Sequence, residues 1–265
     1  MPALSEGQFL PLGAMTGARA MENRFLTRLC SLSPLGAAEQ SLLKHLIRKS
    51  LSIEARGIVC RAGEPVEYYP VVLAGWAARC HMFSNGERQI TGLLLPGDLA
   101  YSSRHATSVA VEEIIALSVC RVALISRRDL HDLMEERPAI ADALQAYAAA
   151  EYAISNAWLV SLGRRNALER ISHLLCELQH RMHQVEAKSA NSFTLPLTQS
   201  DFADALGLTP VHVNRKLQDL RQERLIRLKS KNIEILDLPF LKARAYFDPA
   251  YLDHAPIAAF QAEMT

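Results

Sequence analysis

Asn214 and Arg215 are of the two side-chain types that pair bidentately with adenine and guanine edges in a major groove. They follow a strong helix start, in which Thr209 can cap and Pro210 occupies the first helical position, where a missing N–H costs nothing. Val213, Leu217 and Leu220 recur at i, i+4 and i+7 and must face inward, which leaves Pro210, Val211, Asn214, Arg215 and Gln218 outward. Just upstream, Thr198 is an N-cap with Asp201 three residues later. Phe202, Ala205 and Leu206 form an inner face, and Gly207 supplies a tight turn between the two helices. Downstream, Ile226-Arg227-Leu228, then Lys229-Ser230-Lys231-Asn232, then Ile233-Glu234-Ile235 read as strand, turn and strand, a wing with a basic tip.

Charge agrees with this reading. Residues 211–231 hold seven basic and two acidic side chains, a local +5 in a chain whose total is +1. Phosphate neutralisation needs such a local excess. The segment predicts a winged helix-turn-helix that grips double-stranded DNA. Its candidate contacts are Thr198, Gln199, Ser200, Thr209, Pro210, Val211, His212, Asn214, Arg215, Lys216, Gln218, Lys229 and Lys231. Arg215 is expected to read a guanine, and the two wing-tip lysines to touch phosphates.

Other reactive residues carry less. His173, Cys176 and His180 fall at i, i+3 and i+7 of one helix, a spacing that a partial metal or haem site could use. No fourth ligand is visible, and packing accounts for His173 and Cys176 equally well. Cys80 and His81 are neighbours in a strand and point to opposite faces. The five cysteines are widely spaced and form no metal or iron–sulfur pattern, so no metal site is expected. Neither GxSxG, HExxH, a Walker loop nor GxGxxG is present, and the chain is not expected to be an enzyme.

The elements that must position the helix-turn-helix can be read from periodicity. Residues 1–22 read as a loose arm, and 25–51 have helical spacing, with Leu42, Leu43, Leu46 and Ile47 on one side. Over 52–126, short Val- and Ile-rich runs are punctuated by glycines. Asn85-Gly86 signals a two-residue hairpin turn and Pro96-Gly97-Asp98 another turn, together predicting a small antiparallel roll. Residues 138–163 form a long helix with Ile140, Leu144, Tyr147, Ile154 and Trp158 along one stripe, interrupted by Glu151. The stripe either lies on the roll or, as the sharper expectation, packs on a second copy of the chain. A second helix covers about 166–183, and 184–193 read as loop.

No stretch is long and apolar enough to cross a bilayer, and the N-terminus lacks a basic region followed by an apolar run. A cytoplasmic protein without a membrane partner is expected.

Residues 25–238 resemble the Crp/Fnr family of bacterial regulators. The resemblance rests on Leu94-Leu95-Pro96-Gly97-Asp98-Leu99, Cys120-Arg121-Val122, Arg170-Ile171-Ser172-His173-Leu174-Leu175 and the run from Leu197 through Leu220. It implies an α+β chain. The expected parts are an arm (1–22), a cyclic-nucleotide-binding-like β-roll (23–137), a dimerisation helix (138–163), a winged helix-turn-helix (164–240) and a C-terminal extension (241–265). It also implies a homodimer on a two-fold symmetric operator, with RNA polymerase as a further partner if the protein activates. The signal sensed by the roll, and any cofactor, are left unknown. The alternative is a sensory or interaction module, with a haem or small-molecule ligand, whose output is not direct DNA binding.

Three departures narrow the resemblance. Cyclic-nucleotide binders in the family carry an Arg-Ser/Ala phosphate grip where this chain has Ala110-Val111-Glu112-Glu113, and carboxylates there repel a phosphate. Arg104-His105-Ala106-Thr107 looks like that grip but lies several residues too early. The N-terminal cysteine cluster of oxygen-sensing members is absent, with Cys30 standing alone. Val211 replaces a Glu that many relatives use to accept from cytosine.

Overall fold

A computed structural model describes residues 10–11, 18–47, 49–100, 109–185 and 191–253. They fall into two compact units. The first contains the described residues up to Met82 and Leu93–Glu151, the second Phe83–Gly92 and Tyr152–Asp253.

In chain order the first unit opens with β1 (Leu10–Pro11), α1 (Ala18–Leu32), α2 (Ala37–Leu46) and β2 (Lys49–Ile53). The strands β3 (Ile58–Cys60), β4 (Tyr68–Ala74), β5 (Ala77–Met82), β6 (Arg88–Leu94), β7 (Glu113–Ala116) and β8 (Cys120–Ser126) follow, then α3 (Arg127–Glu136) and the long α4 (Pro138–Arg164). Two four-stranded sheets have the orders β1-β2-β8-β4 and β3-β7-β5-β6. Strand periodicity divides β4 between two cores. Val72 joins Val59, Leu94, Ile114, Ala116 and Val122 in a cluster drawn from both sheets. Its neighbours Val71 and Leu73 turn the other way, to Phe25, Leu29, Leu43, Leu130 and the α4 residues Ile140, Ala143, Leu144, Tyr147 and Ala150.

Polar contacts tie the roll to α4. The Tyr147 hydroxyl accepts from Leu99 N (2.9 Å) and donates to its carbonyl (3.1 Å). Arg79 Nη2 holds Glu151 at 2.7 Å, and its Nε donates to the Ala100 carbonyl.

Three local expectations change here. The helical run expected over 25–51 is two helices and the start of a strand. Pro34 disfavours helix in the residue before it, and Leu51 is drawn into a ladder opposite Val122. Within the expected arm, Leu10–Pro11 pair with Ser50 and Lys49 and α1 begins at Ala18, while most of the remainder lies outside the described residues. At Asn85-Gly86 only Gly86 has positive φ (+85°), and Phe83 N donates to the Glu87 carbonyl at 2.8 Å. The loop is therefore three residues ending in a left-handed glycine, not a two-residue turn. The Arg104-His105-Ala106-Thr107 stretch lies outside the described residues.

The second unit continues α4 from Tyr152 and adds α5 (Ala167–Val185), β9 (Ser192–Thr194), α6 (Gln199–Leu206), α7 (Pro210–Gln222), β10 (Ile226–Lys229), β11 (Asn232–Ile235), α8 (Leu238–Ala245) and a 3-10 turn (Pro249–Tyr251). Ser192–Thr194, expected as loop, forms the third strand of the wing sheet, in the order β10-β11-β9. Phe193 is buried opposite Ile233, and that burial selects the strand.

The expected C-terminal extension is integral to this unit through residue 253. Tyr251 donates to Glu177 at 3.0 Å, and Gln184 donates to the Leu252 carbonyl. Glu177 is fully buried and also accepts from Trp158 Nε1 (3.0 and 3.2 Å) and Arg181 (3.3 Å). A buried carboxylate needs this many donors.

Candidate nucleic-acid interface

Helix α6 starts with a complete capping box. Thr198 Oγ1 accepts from Asp201 N at 3.1 Å, and the Asp201 carboxylate accepts from Thr198 N at 2.8 Å. Phe202, Ala205 and Leu206 are buried, while Thr198, Gln199 and Ser200 are exposed at the N-terminal turn. The first amides of a helix lack internal partners, so this turn suits a phosphate. Gly207 closes α6 in the left-handed region (φ +60°), where a side chain would be strained.

Thr209 then caps α7, accepting from His212 N at 3.2 Å, with Pro210 in the first turn. Val213, Leu217 and Leu220 are buried. Pro210, Asn214, Arg215 and Gln218 are exposed, as is Val211 at 81%, and His212 is half-buried. An apolar side chain this exposed has no packing role within the chain and is free to meet a thymine methyl.

The wing tip is a two-residue turn in which Ser230 (φ +49°) and Lys231 (φ +63°) are both left-handed, with Lys229 opposite Asn232. Right-handed strand twist favours such a turn. It projects Lys229 and Lys231, both exposed, and among the described residues Arg215, Lys229 and Lys231 make no ion pair. The basic excess is not all available. Lys216 pairs with Asp219 at 2.7 Å and Arg227 with Glu234 at 2.6 Å.

Thus the structure brings the predicted α6, α7 and wing residues onto exposed surfaces of the second unit, and it ties Lys216 to a neighbouring carboxylate. Two arginines to which the sequence assigned no site role hold α6. Arg170 donates to the Leu206 carbonyl at its C-terminal end (2.8 Å) and to Leu162 (2.8 Å) and Arg165 (2.9 Å) at the end of α4. Arg88 reaches Asp201 at 2.6 Å and Asp204 at 2.7 Å. Arg170 opens one of the motifs that carry the family resemblance, whereas Arg88 follows no local pattern and had no sequence signal.

The five residues expected at a dimer seam are core residues of the chain itself. Ile140, Leu144 and Tyr147 pack in the roll's helical core, and Ile154 and Trp158 are also buried, Trp158 against Glu177. A stripe already covered cannot face a second copy. What α4 leaves uncovered is Tyr152 (70% exposed), Leu159 (69%) and Val160, with Asn156 and Gly163 also exposed.

His173, Cys176 and His180 do not converge on a ligand. His173 stacks on Tyr251 and meets Phe247 edge-on, and burial, with the Arg165 charge second, lowers its pKa to about 4. Burial pushes the Cys176 thiol up to about 12, which keeps it protonated and a poor ligand. His180 pairs with Asp253 at 2.7 Å. Among the described residues no group of three His, Cys, Asp or Glu side chains could hold a metal ion. Among them, too, no helix is long and apolar enough to cross a membrane.

A capped helix-turn-helix with a basic wing, in a chain that begins with an antiparallel roll, defines a DNA-binding protein of the winged-helix class. Comparison with known proteins agrees. Residues 169–244 match the Crp-like helix-turn-helix domain, and residues 50–137 the cyclic nucleotide-binding domain. FnrL of Cereibacter sphaeroides, a transcriptional activator protein, is 27% identical over 214 residues, which cover 80% of this chain and 83% of the relative. The nitrogen fixation regulation protein FixK of Azorhizobium caulinodans is 32% identical over 167 residues, covering 63% and 66%. The structure of FixK2 from Bradyrhizobium japonicum superimposes with a TM-score of 0.67 at 26% identity, covering 73% of this chain and 95% of that one. The chain belongs to the Crp/Fnr family of DNA-binding transcription regulators.

Proposed function

We propose that this protein binds a two-fold symmetric operator as a homodimer and regulates transcription from it, in response to a signal received by the roll. The observation that carries the reading is the division of α7. Val213, Leu217 and Leu220 are buried, while Asn214 and Arg215 stand exposed on the opposite face, and Arg215 makes no ion pair among the described residues. Arg215 reads guanine and Asn214 adenine. Thr198, Gln199, Ser200, Thr209, His212, Lys229 and Lys231 serve the phosphates, and Pro210, Val211 and Gln218 line the groove.

The copies meet along the uncovered face of α4. Tyr152, Asn156, Leu159 and Gly163 recur at alternating steps of four and three residues, the spacing of a helix–helix seam. The name of FnrL supports activation, which makes RNA polymerase a partner, and the work is done in the cytoplasm. The roll responds to something other than a cyclic nucleotide. Glu112 lies close enough to Arg79 to influence its charge, so that arginine faces carboxylates from both the loop and α4. The alternative, a sensory module without direct DNA output, leaves the free Arg215 and the basic wing tip without a purpose.

Selection of binding sites from a random duplex pool tests the reading. The expected result is a logo of two inverted half-sites, each with a guanine whose preference depends on Arg215. Recovery of no enriched sequence, with binding no tighter than to random duplex, overturns it.

A further inference from the structure

Helix α6 is only eight residues long, and its N-terminal turn is where the interface meets phosphate. That turn carries two carboxylates close behind it. Asp201 is wholly buried, and one of its oxygens is committed to the capping box. Its other oxygen takes Arg88 Nη2, while Arg88 Nε takes Asp204, and the Arg88 side chain is itself mostly covered. Next to it, Gln89 donates to the Ala205 carbonyl at 3.5 Å. Arg88 and Gln89 open β6 and lie more than a hundred residues from α6 in sequence, yet segment Phe83–Gly92 clusters with the helix-turn-helix unit.

The planar guanidinium fits this place, since its fork meets two carboxylates at once with the charge fixed. Without it the buried Asp201 loses a charged partner, and Asp201 and Asp204 lose the guanidinium they share. Its two carboxylates would also oppose the approach of phosphate.

We propose that Arg88 is a positioning residue for DNA binding, a clasp that presets the first helix of the motif and offsets Asp201 and Asp204. The proposal rests on the DNA-binding reading above.

The test uses the full chain, the operator recovered by selection, and fluorescence anisotropy, together with amide hydrogen exchange on the DNA-free protein. Arg88→Gln is expected to weaken operator binding about tenfold and to speed exchange across residues 199–206, with a cooperative melt retained. Arg88→Lys restores only part of the loss, because a single point charge replaces a fork that meets two carboxylates. Asp204→Asn weakens binding by about threefold, and the double variant is no worse than Arg88→Gln alone, since the two share one interaction.

Binding by Arg88→Gln within about twofold of the wild type, with unchanged exchange across residues 199–206, overturns the proposal. If Arg88→Gln does not fold, Asp204→Asn decides, and unchanged affinity in that variant overturns it equally. A wild type that binds no duplex defeats both this proposal and the DNA-binding reading. A wild type that binds, matched by all the variants, defeats this one alone.

Discussion

Arg215 stands one turn into α7 on the face opposite Val213 and Leu217, exposed and without an ion pair among the described residues. A guanidinium in that position makes a two-point contact with a guanine edge, and losing it costs about tenfold or more per half-site. Arg215→Ala should therefore weaken binding to the selected operator and flatten one position of its logo. An unchanged logo with uniformly weaker binding would assign Arg215 to a phosphate instead. Lys229 and Lys231 flank or form the exposed turn at the tip of the wing, and under the proposed function they contact phosphates. Either Lys→Ala change should weaken binding to all sequences alike and lower the salt slope by about one unit, as measured by titrations at several salt concentrations.

His173 sets a residue-scale expectation of another kind. Burial against Phe247 and Tyr251 lowers its pKa to about 4, so the folded state holds it neutral, whereas the unfolded chain protonates it near 6.5. Its contribution to stability is complete above pH 6.5 and is lost as pH falls toward 4, by on the order of 3 kcal/mol. His173→Phe keeps a stacked ring and removes the titration. Urea midpoints of the two proteins should diverge between pH 6.5 and 4.5, with the wild type falling further. Parallel pH profiles would show that His173 does not titrate in this way.

At the scale of elements, α4 is the most informative. A helix of 27 residues cannot show from spacing alone which stripe meets its own chain and which meets another. The stripe through Ile140, Leu144, Tyr147, Ile154 and Trp158 is covered at home, and the stripe through Tyr152, Asn156, Leu159 and Gly163 is not. Substitutions on the two stripes should separate. Under the proposed seam, Leu159→Glu places charge between the copies, and sedimentation should find a folded monomer with weakened operator binding. Ile154→Asp buries a charge inside one chain, costs several kcal/mol and should lower the melting temperature steeply whatever the oligomeric state. If Leu159→Glu remains a dimer at micromolar concentration, the seam lies elsewhere.

The whole molecule combines a sensory-type roll with a reading head, and the question at this scale is what the roll accepts. Arg79 is already matched to Glu151, Tyr147 is bonded in both directions to Leu99, and the inner faces of the strands are filled with apolar side chains. Calorimetry with cyclic AMP or cyclic GMP should show no micromolar binding and no change in operator affinity. Tight binding of either, with a gain in affinity for DNA, would reverse that expectation.

Local chemistry alone determined the helix-turn-helix. The Thr198 and Thr209 caps, Pro210, Gly207 and the i, i+4, i+7 stripe are satisfied by residues within a few positions of one another, so their meaning does not depend on the rest of the chain. The roll was legible as a class for the same reason, through its turns and alternating strands. Tertiary structure decided what rests on distant partners. Leu51 joins a strand because Val122 lies opposite it, and Ser192–Thr194 become a strand because Phe193 is buried beside Ile233. The left-handed turn moves from Asn85-Gly86 to Ser230-Lys231, because strand register sets the length of each loop. The covered stripe of α4 is set by what packs on it. Arg88 meets Asp201 across more than a hundred residues, and charge and geometry at that range leave no periodicity in a single sequence.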